Sequence, residues 1–279
     1  MQMNGKQQAT SADGTTIAYE AYGKGPAAVI VGGAFCDRGS FRDVAQVLGD
    51  LGFTGVTYDR RGRGDSGDEL AGADSDTVRR EAVAREVDDL TSVLAEVNEN
   101  GSAPSIFGVS SGGALVVHAV AAGVPVARAA SLEVPYRSAG WPPAPTDYIG
   151  TLERFEVAGD REGILRYFNT EVVGMPEQAV DGMRGTAMWD PMLALTYTLK
   201  YDGLCLGGDD HGLPTETLAR VTVPFLAVCS SGTAQPWLHD SAQVLADALP
   251  DGRAVELQGG FHQVPAPVLA PALADFFRS

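Results

Sequence analysis

Short unbroken apolar runs alternate with longer amphipathic stretches along most of the chain. The runs fall at residues 27–31, 53–58, 105–109, 126–132, 223–228 and 254–257. Runs that are apolar on both faces suit strands buried inside a parallel sheet. Ahead of them, residues 7–22 alternate around Asp13-Gly14, a two-residue hairpin signal, so two antiparallel strands open the fold. Between strands the apolar spacing changes to three and four. Val83, Val87, Leu90, Leu94 and Val97 mark a helix over 75–98. Further helices are expected at 41–49, with Ser40 and Asp43 placed to cap it, and at 114–122, stopped by Gly123 and Pro125. Two more follow at 237–249 and 266–277. Strand alternating with helix predicts an α/β fold, a mostly parallel eight-stranded sheet flanked by helices.

That rhythm breaks between about 137 and 218. The stretch opens with Trp141-Pro142-Pro143-Ala144-Pro145, reads mostly helical, and holds Met175, Met183, Met188, Trp189, Met192, Tyr197 and Tyr201. It reads either as more core or as a helical cap inserted after the sixth strand, above the strand ends where open α/β sheets bind ligands. The second reading divides the chain into a core at 1–136, a cap at 137–218 and the rest of the core at 219–279.

The chemistry centres on Gly108-Val109-Ser110-Ser111-Gly112, a G-x-S-x-G with a strand before it and a helix after it. A turn that tight needs glycines where backbones approach, and it lifts the Ser110 hydroxyl above the sheet edge. The Ser111 amide would then stand at a helix N-terminus, where negative charge is stabilised. The plainer alternative is a glycine-rich turn with no chemistry.

Composition narrows the partners. The 279 residues include 36 acidic and 20 basic ones, a formal charge of −16, which disfavours nucleic acid and anionic membranes. No apolar run is long enough for a transmembrane helix. The first residues lack the apolar centre of a secretion signal, so a cytoplasmic location is expected. Cys36, Cys205 and Cys229 are too scattered for a disulfide framework or a zinc site. The expected partner is a small-molecule substrate, with no cofactor and no metal; oligomeric state leaves no mark on the sequence.

Along residues 15–279 the chain resembles the α/β-hydrolase superfamily. The landmarks are Gly32-Gly33-Ala34, Asp59-Arg60-Arg61-Gly62-Arg63-Gly64, the Gly108–Gly112 turn, Pro224 before a late strand, and His262 near the C-terminus. It is most similar to compact, actinobacterial-type members with a helical cap and a Leu-Glu-x-Pro turn after the sixth strand. The resemblance implies a triad in the chain order Ser, acid, His. Of the four histidines, His262 in Gln258-Gly259-Gly260-Phe261-His262 fits the base, and His239 is the second choice. His118 reads as structural and His211, beside Gly207-Gly208-Asp209-Asp210, as a solvated turn. Many relatives carry an Asp after the seventh strand, but here that loop is Cys229-Ser230-Ser231-Gly232-Thr233-Ala234-Gln235-Pro236. Glu133, at the end of the sixth strand, resembles the alternative acid position of some haloalkane dehalogenase-like members; Asp240 is its rival.

The resemblance also places the oxyanion donors at the backbone amides of Ala34 and Ser111, with Phe35 lining the pocket. Relatives usually have His-Gly where this chain has Gly32-Gly33, so the side-chain bonds that stiffen that loop are missing from the pattern. Trp141 and Trp189 are expected to line the substrate pocket. Cys36 and Cys229 read as small apolar residues, and Asp59 with the three arginines as a structural turn. The implied activity is a serine hydrolase of a carboxylic ester, lactone or thioester of a medium-sized apolar substrate. Two alternatives remain open at this level: a non-hydrolytic tailoring enzyme (lyase, cyclase or acyltransferase) of secondary metabolism, and an inactive ligand-binding member. A cofactor-free haloperoxidase would use the same triad, whereas haloalkane dehalogenation would need Asp in place of Ser110.

Overall fold

The computed structural model describes residues 3–98, 101–137, 146–233 and 235–279. One eight-stranded sheet runs in the order β1-β2-β4-β3-β5-β6-β7-β8. Its strands are β1 (Met3–Thr10), β2 (Thr16–Gly23), β3 (Ala27–Val31), β4 (Thr54–Tyr58), β5 (Ser105–Val109), β6 (Arg128–Leu132), β7 (Phe225–Gly232) and β8 (Gly252–Gly260). β1 and β2 pair antiparallel, and β2 lies antiparallel on β4. Every pairing from β4 through β3, β5, β6 and β7 to β8 is parallel.

The parallel strands are apolar throughout because both faces of the sheet are covered. Alternate side chains of β3 show it. Val29 and Val31 join the core under α2 (Ser75–Val97), α3 (Ser111–Ala121) and α10 (Pro236–Ala248), while Ala28 and Ile30 join the core under α1 (Arg42–Asp50) and α11 (Ala266–Arg278). α2 begins where the Asp74 carboxylate accepts the Thr77 amide at 2.9 Å. The start of α1 differs from the expected cap. Phe41 is its N-cap and no side chain caps it; Ser40 is instead bonded to Asp37, whose carboxylate takes the Ser40 hydroxyl at 3.1 Å.

Between β6 and β7 the described chain is helical. It runs through α4 (Tyr148–Val157), α5 (Arg161–Tyr167), α6 (Glu177–Met183), α7 (Trp189–Leu195), α8 (Leu199–Cys205) and α9 (Thr215–Leu218). α5 continues into a π-turn over Phe168–Val172, a widened coil that often accompanies functional surfaces. These helices carry two small cores of their own, one around Tyr148, Ile149, Leu152, Ile164 and Leu199, the other around Leu165, Val180 and Trp189. Among the described residues no helix is long and apolar enough to cross a membrane.

Candidate active site

Ser110 stands between β5 and α3 at φ 55°, ψ −124°, a backbone region that costs a side-chain-bearing residue about 1–3 kcal/mol. Two features hold it there. Its amide donates to the Leu132 carbonyl at 2.9 Å, and its own carbonyl accepts the Gly113 amide at 2.9 Å. The flanking glycines are required by contact: a Cβ on Gly108 would strike the Gly112 carbonyl, and one on Gly112 would strike the carbonyls of Val31 and Gly32.

Among the described residues, five of the six non-glycine positions with positive φ lie at this end of the sheet: Phe35, Ser110, Glu133, His211 and His262, with Asp147 the sixth. Glu133 follows β6 and is 1% exposed. Its Oε1 accepts the amide and the hydroxyl of Ser230 on β7, at 3.0 and 2.5 Å. Its Oε2 accepts the His262 amide at 2.7 Å and lies 2.9 Å from His262 Nδ1, at an angle bent away from a straight hydrogen bond. Burial alone would raise the Glu133 pKa. The hydrogen bonds from His262 and Ser230 outweigh it and hold the carboxyl below the ordinary range.

Ser110 and His262 line one cavity of about 810 Å³, a size that suits a medium-sized organic ligand. Gly33, Ala34, Phe35 and Ser111 line it too, and much of the remaining wall is apolar: Phe168, Val172, Met175, Met188 and Leu238. No acceptor among the described residues takes the amide of Ala34 or of Ser111. Gly33 brings the first of them to the turn, where a Cβ would stand 2.9 Å from the Val109 carbonyl and 3.1 Å from Ser110 Cβ.

The Gly32-Gly33 loop is stiffened after all, by arginines. Arg63 Nη1 donates to the Gly33 carbonyl at 2.6 Å and Arg60 Nη1 to the Gly32 carbonyl at 3.2 Å. Both arginines are buried and share Asp202 on α8, which also accepts the Ser111 hydroxyl at 2.6 Å. Glu86 on α2 takes Arg60 through two bonds of 2.6 Å. Two cations and two anions thus close a neutral buried quartet. Burial would raise the Asp202 pKa, but the charges of Arg63 and Arg60 hold it below the ordinary range.

Other expected residues lie elsewhere or behave differently. Trp189 does not itself line the cavity: it is packed in the insert's own core with Leu165 and Val180, a core that cavity-lining Phe35 and Met175 pack against. Trp141 falls outside the described residues. Asp240 is exposed on α10, 3.5 Å from His239 Nδ1, so it faces that histidine and not His262. His239 in turn bonds Glu256 at 2.7 Å. His118 is 2.9 Å from the Cys205 carbonyl through Nε2, and burial lowers its pKa. His211 is not in a solvated turn. It is 2% exposed and lines the cavity, because the segment after β6 lies against it, the Arg137 amide donating to its carbonyl at 2.7 Å.

Cys36 lines the cavity, and burial pushes its thiol pKa up, away from nucleophile character. Among the described residues the one grouping with metal-ligand chemistry is Cys229, His239 and Glu256, on the outside of β7, α10 and β8. Burial raises the Cys229 thiol to about 11 and His239 already has its carboxylate, so this trio is satisfied without an ion. Sequence reasoning missed Ser230, Asp202, Arg137 and Trp237. Only Ser230 left a signal, as a hydroxyl in the loop where a carboxylate was sought.

The fold and this turn-borne serine are those of one large class of α/β proteins. A family model described as the alpha/beta hydrolase family matches residues 28–273, and the chain belongs to that family. An α/β hydrolase from Sphaerobacter thermophilus is 38% identical over 97% of this chain and 100% of its own, with a TM-score of 0.84. An esterase from a Rhodococcus species (22% identity, 98% of both chains, TM-score 0.63) shares the fold. So does a bromoperoxidase from Bacillus anthracis (20% identity, 98% and 100% of the two chains, TM-score 0.64). Among curated proteins none matches the chain.

Proposed function

We propose that the protein is a serine-dependent acyl-transfer enzyme, in its simplest form a hydrolase of carboxylic esters, lactones or thioesters. The observation that carries this reading is the buried Glu133 carboxylate, fixed by Ser230 on one oxygen and by His262 on the other, with His262 facing the cavity of Ser110. Ser110 Oγ attacks the substrate carbonyl while His262 Nε2 takes its proton. The Ala34 and Ser111 amides hold the tetrahedral oxyanion. Return of that proton to the leaving oxygen or sulfur releases the first product and leaves an acyl-serine. Water, deprotonated by the same imidazole, then releases the acid and restores Ser110. Glu133 holds the imidazole with its Nδ1–H inward and balances the imidazolium charge in both halves.

The helices between β6 and β7 act in this reading as the cap that closes the apolar wall over the substrate. Its Phe168, Val172, Met175 and Met188 favour an apolar chain in the acyl or the alcohol part. The test is covalent labelling with a fluorophosphonate, mapped by peptide mass. The expected result is one adduct, on Ser110, absent in Ser110→Ala and strongly slowed in His262→Ala. A folded protein that stays unlabelled would overturn the reading in favour of non-hydrolytic or binding functions.

A further inference from the structure

The loop that carries His262 places a second ring in the site. Gly260 donates its amide to the Gln263 carbonyl at 2.8 Å and accepts the Gln263 amide at 2.9 Å. Phe261 and His262 are therefore the two central residues of a closed four-residue turn. His262 stands at φ 51°, and positive φ at the second central residue alone is the pattern of a type II turn. The Glu133 carboxylate pins that same residue, accepting its amide at 2.7 Å. A turn closed at both ends and held in the middle leaves Phe261 little freedom. Its ring lies on the imidazole, with centroids 4.1 Å apart and planes 33° from parallel.

Phe261 is also 36% exposed, and it lines the cavity. Single exposed aromatic residues are ordinary on a protein surface. This one stands at the mouth of the cavity and touches the proposed base. The chemistry fixes what comes beside it. In acyl transfer the imidazole returns its proton to the leaving oxygen or sulfur, which must come within about 3 Å of His262 Nε2. The acyl part bonds to Ser110 and stays. The part that departs is the one held against the imidazole, and so against Phe261. Its way out is the opening at which Phe261 is exposed.

We propose that Phe261 determines leaving-group specificity: its ring forms one wall of the subsite for the alcohol or thiol part of the substrate. Esters and thioesters whose departing group carries an aromatic ring are then preferred over those with a small aliphatic one. The inference rests on the acyl-transfer reading. A ring in the departing group covers a phenyl side chain that is otherwise partly open to solvent, and ring-on-ring contact adds to the apolar area removed from water.

Steady-state hydrolysis of benzyl butyrate against methyl butyrate tests it. The two alcohols are of nearly equal acidity, and both esters pass through one butyryl-enzyme. Deacylation is thus shared, and a leaving-group effect appears in kcat/KM. Benzyl butyrate should show a kcat/KM about tenfold above that of methyl butyrate, the range of an aromatic contact with the area that it covers. Phe261→Ala should bring the two esters within about twofold of each other, whereas Phe261→Tyr keeps the ring and should keep the preference. The ratio separates this role from a structural one, since a loosened His262 slows both esters alike. No benzyl preference in the wild type, or one that survives Phe261→Ala or is lost in Phe261→Tyr, would overturn this inference alone. A folded wild type that hydrolyses neither ester also refutes it. Fluorophosphonate labelling then decides the broader reading: an adduct on Ser110 leaves acyl transfer standing, and no adduct ends both.

Discussion

Glu133→Gln separates the proposed triad acid from every rival. The carboxylate accepts three hydrogen bonds, two from Ser230 and one from the His262 amide, and its Oε2 lies 2.9 Å from His262 Nδ1. A glutamine keeps one acceptor oxygen and adds an NH₂ that must face donors whichever way it turns. With the oxygen toward His262 the tautomer survives, but the negative charge beside the imidazolium is gone. At about 4–5 Å between charge centres and an effective dielectric near 20, that charge is worth about 3–4 kcal/mol, or a fall in kcat of about 150- to 1000-fold. With the NH₂ toward His262 the imidazole is driven to the opposite tautomer, which cannot accept from Ser110, and the loss approaches about 10⁴-fold. The misplaced donor also costs about 1–3 kcal/mol of stability. The assay is turnover of para-nitrophenyl butyrate alongside the rate of fluorophosphonate labelling and a thermal melt. Asp240→Asn is the control, expected to act within about twofold of wild type because Asp240 faces His239 at the surface. A folded Glu133→Gln that keeps more than about a tenth of the activity, or an Asp240→Asn that falls as far, would refute the assignment.

The remaining predictions concern stability. Asp202→Asn leaves Arg60 and Arg63 buried with Glu86 as their one remaining anion in the quartet, and breaking such a pair costs about 3–5 kcal/mol; urea denaturation should show a loss of that size, and a loss below about 1 kcal/mol would contradict it. His211, with a folded pKa of about 4 against about 6.5 unfolded, leaves stability intact above pH 6.5 and withdraws it as pH falls toward 4, since only the unfolded chain takes up the proton there. The loss is up to about 3 kcal/mol, and His211→Asn should flatten the stability profile between about pH 6.5 and 4 by a measurable part of it. An unchanged profile would mean that the histidine is solvated.

The sheet was legible because its evidence is local. A strand buried on both faces has to be apolar residue by residue, as β3, β5 and β6 are, and a helix must repeat at three and four, as α2 does. The elbow was legible for the same reason: its glycines are adjacent to the serine that they free. The helix start at Phe41 was not, since Ser40 had two nearby partners and Asp37 took it. What remained hidden depends on pairs distant in the chain. Ser111 meets Asp202 across 91 positions, and Arg63 meets it across 139, with nothing in either segment announcing the other. His211 reads as a solvated turn from sequence because its neighbours are glycines and aspartates; Arg137, which bonds its carbonyl, and Tyr148, which packs on its ring, belong to a different part of the chain.

The arginine quartet also bears on the chemistry. The Gly33 carbonyl that Arg63 binds at 2.6 Å belongs to the same peptide unit as the Ala34 amide, the donor proposed for the oxyanion. Drawing electron density toward the carbonyl oxygen makes the N–H at the other end of that unit more positive, and in a low-dielectric site the effect is not screened away. Arg60 fixes the preceding carbonyl, and Asp202 ties both arginines to Ser111, whose amide is the second proposed donor. One buried cluster thereby spans the loop after β3, the start of α3 and the insert helix α8, and sets the spacing of the two amides. A histidine in the loop could stiffen one strand end; this arrangement couples both proposed oxyanion donors to an insert helix, so a shift of α8 would be felt at the Ala34 and Ser111 amides.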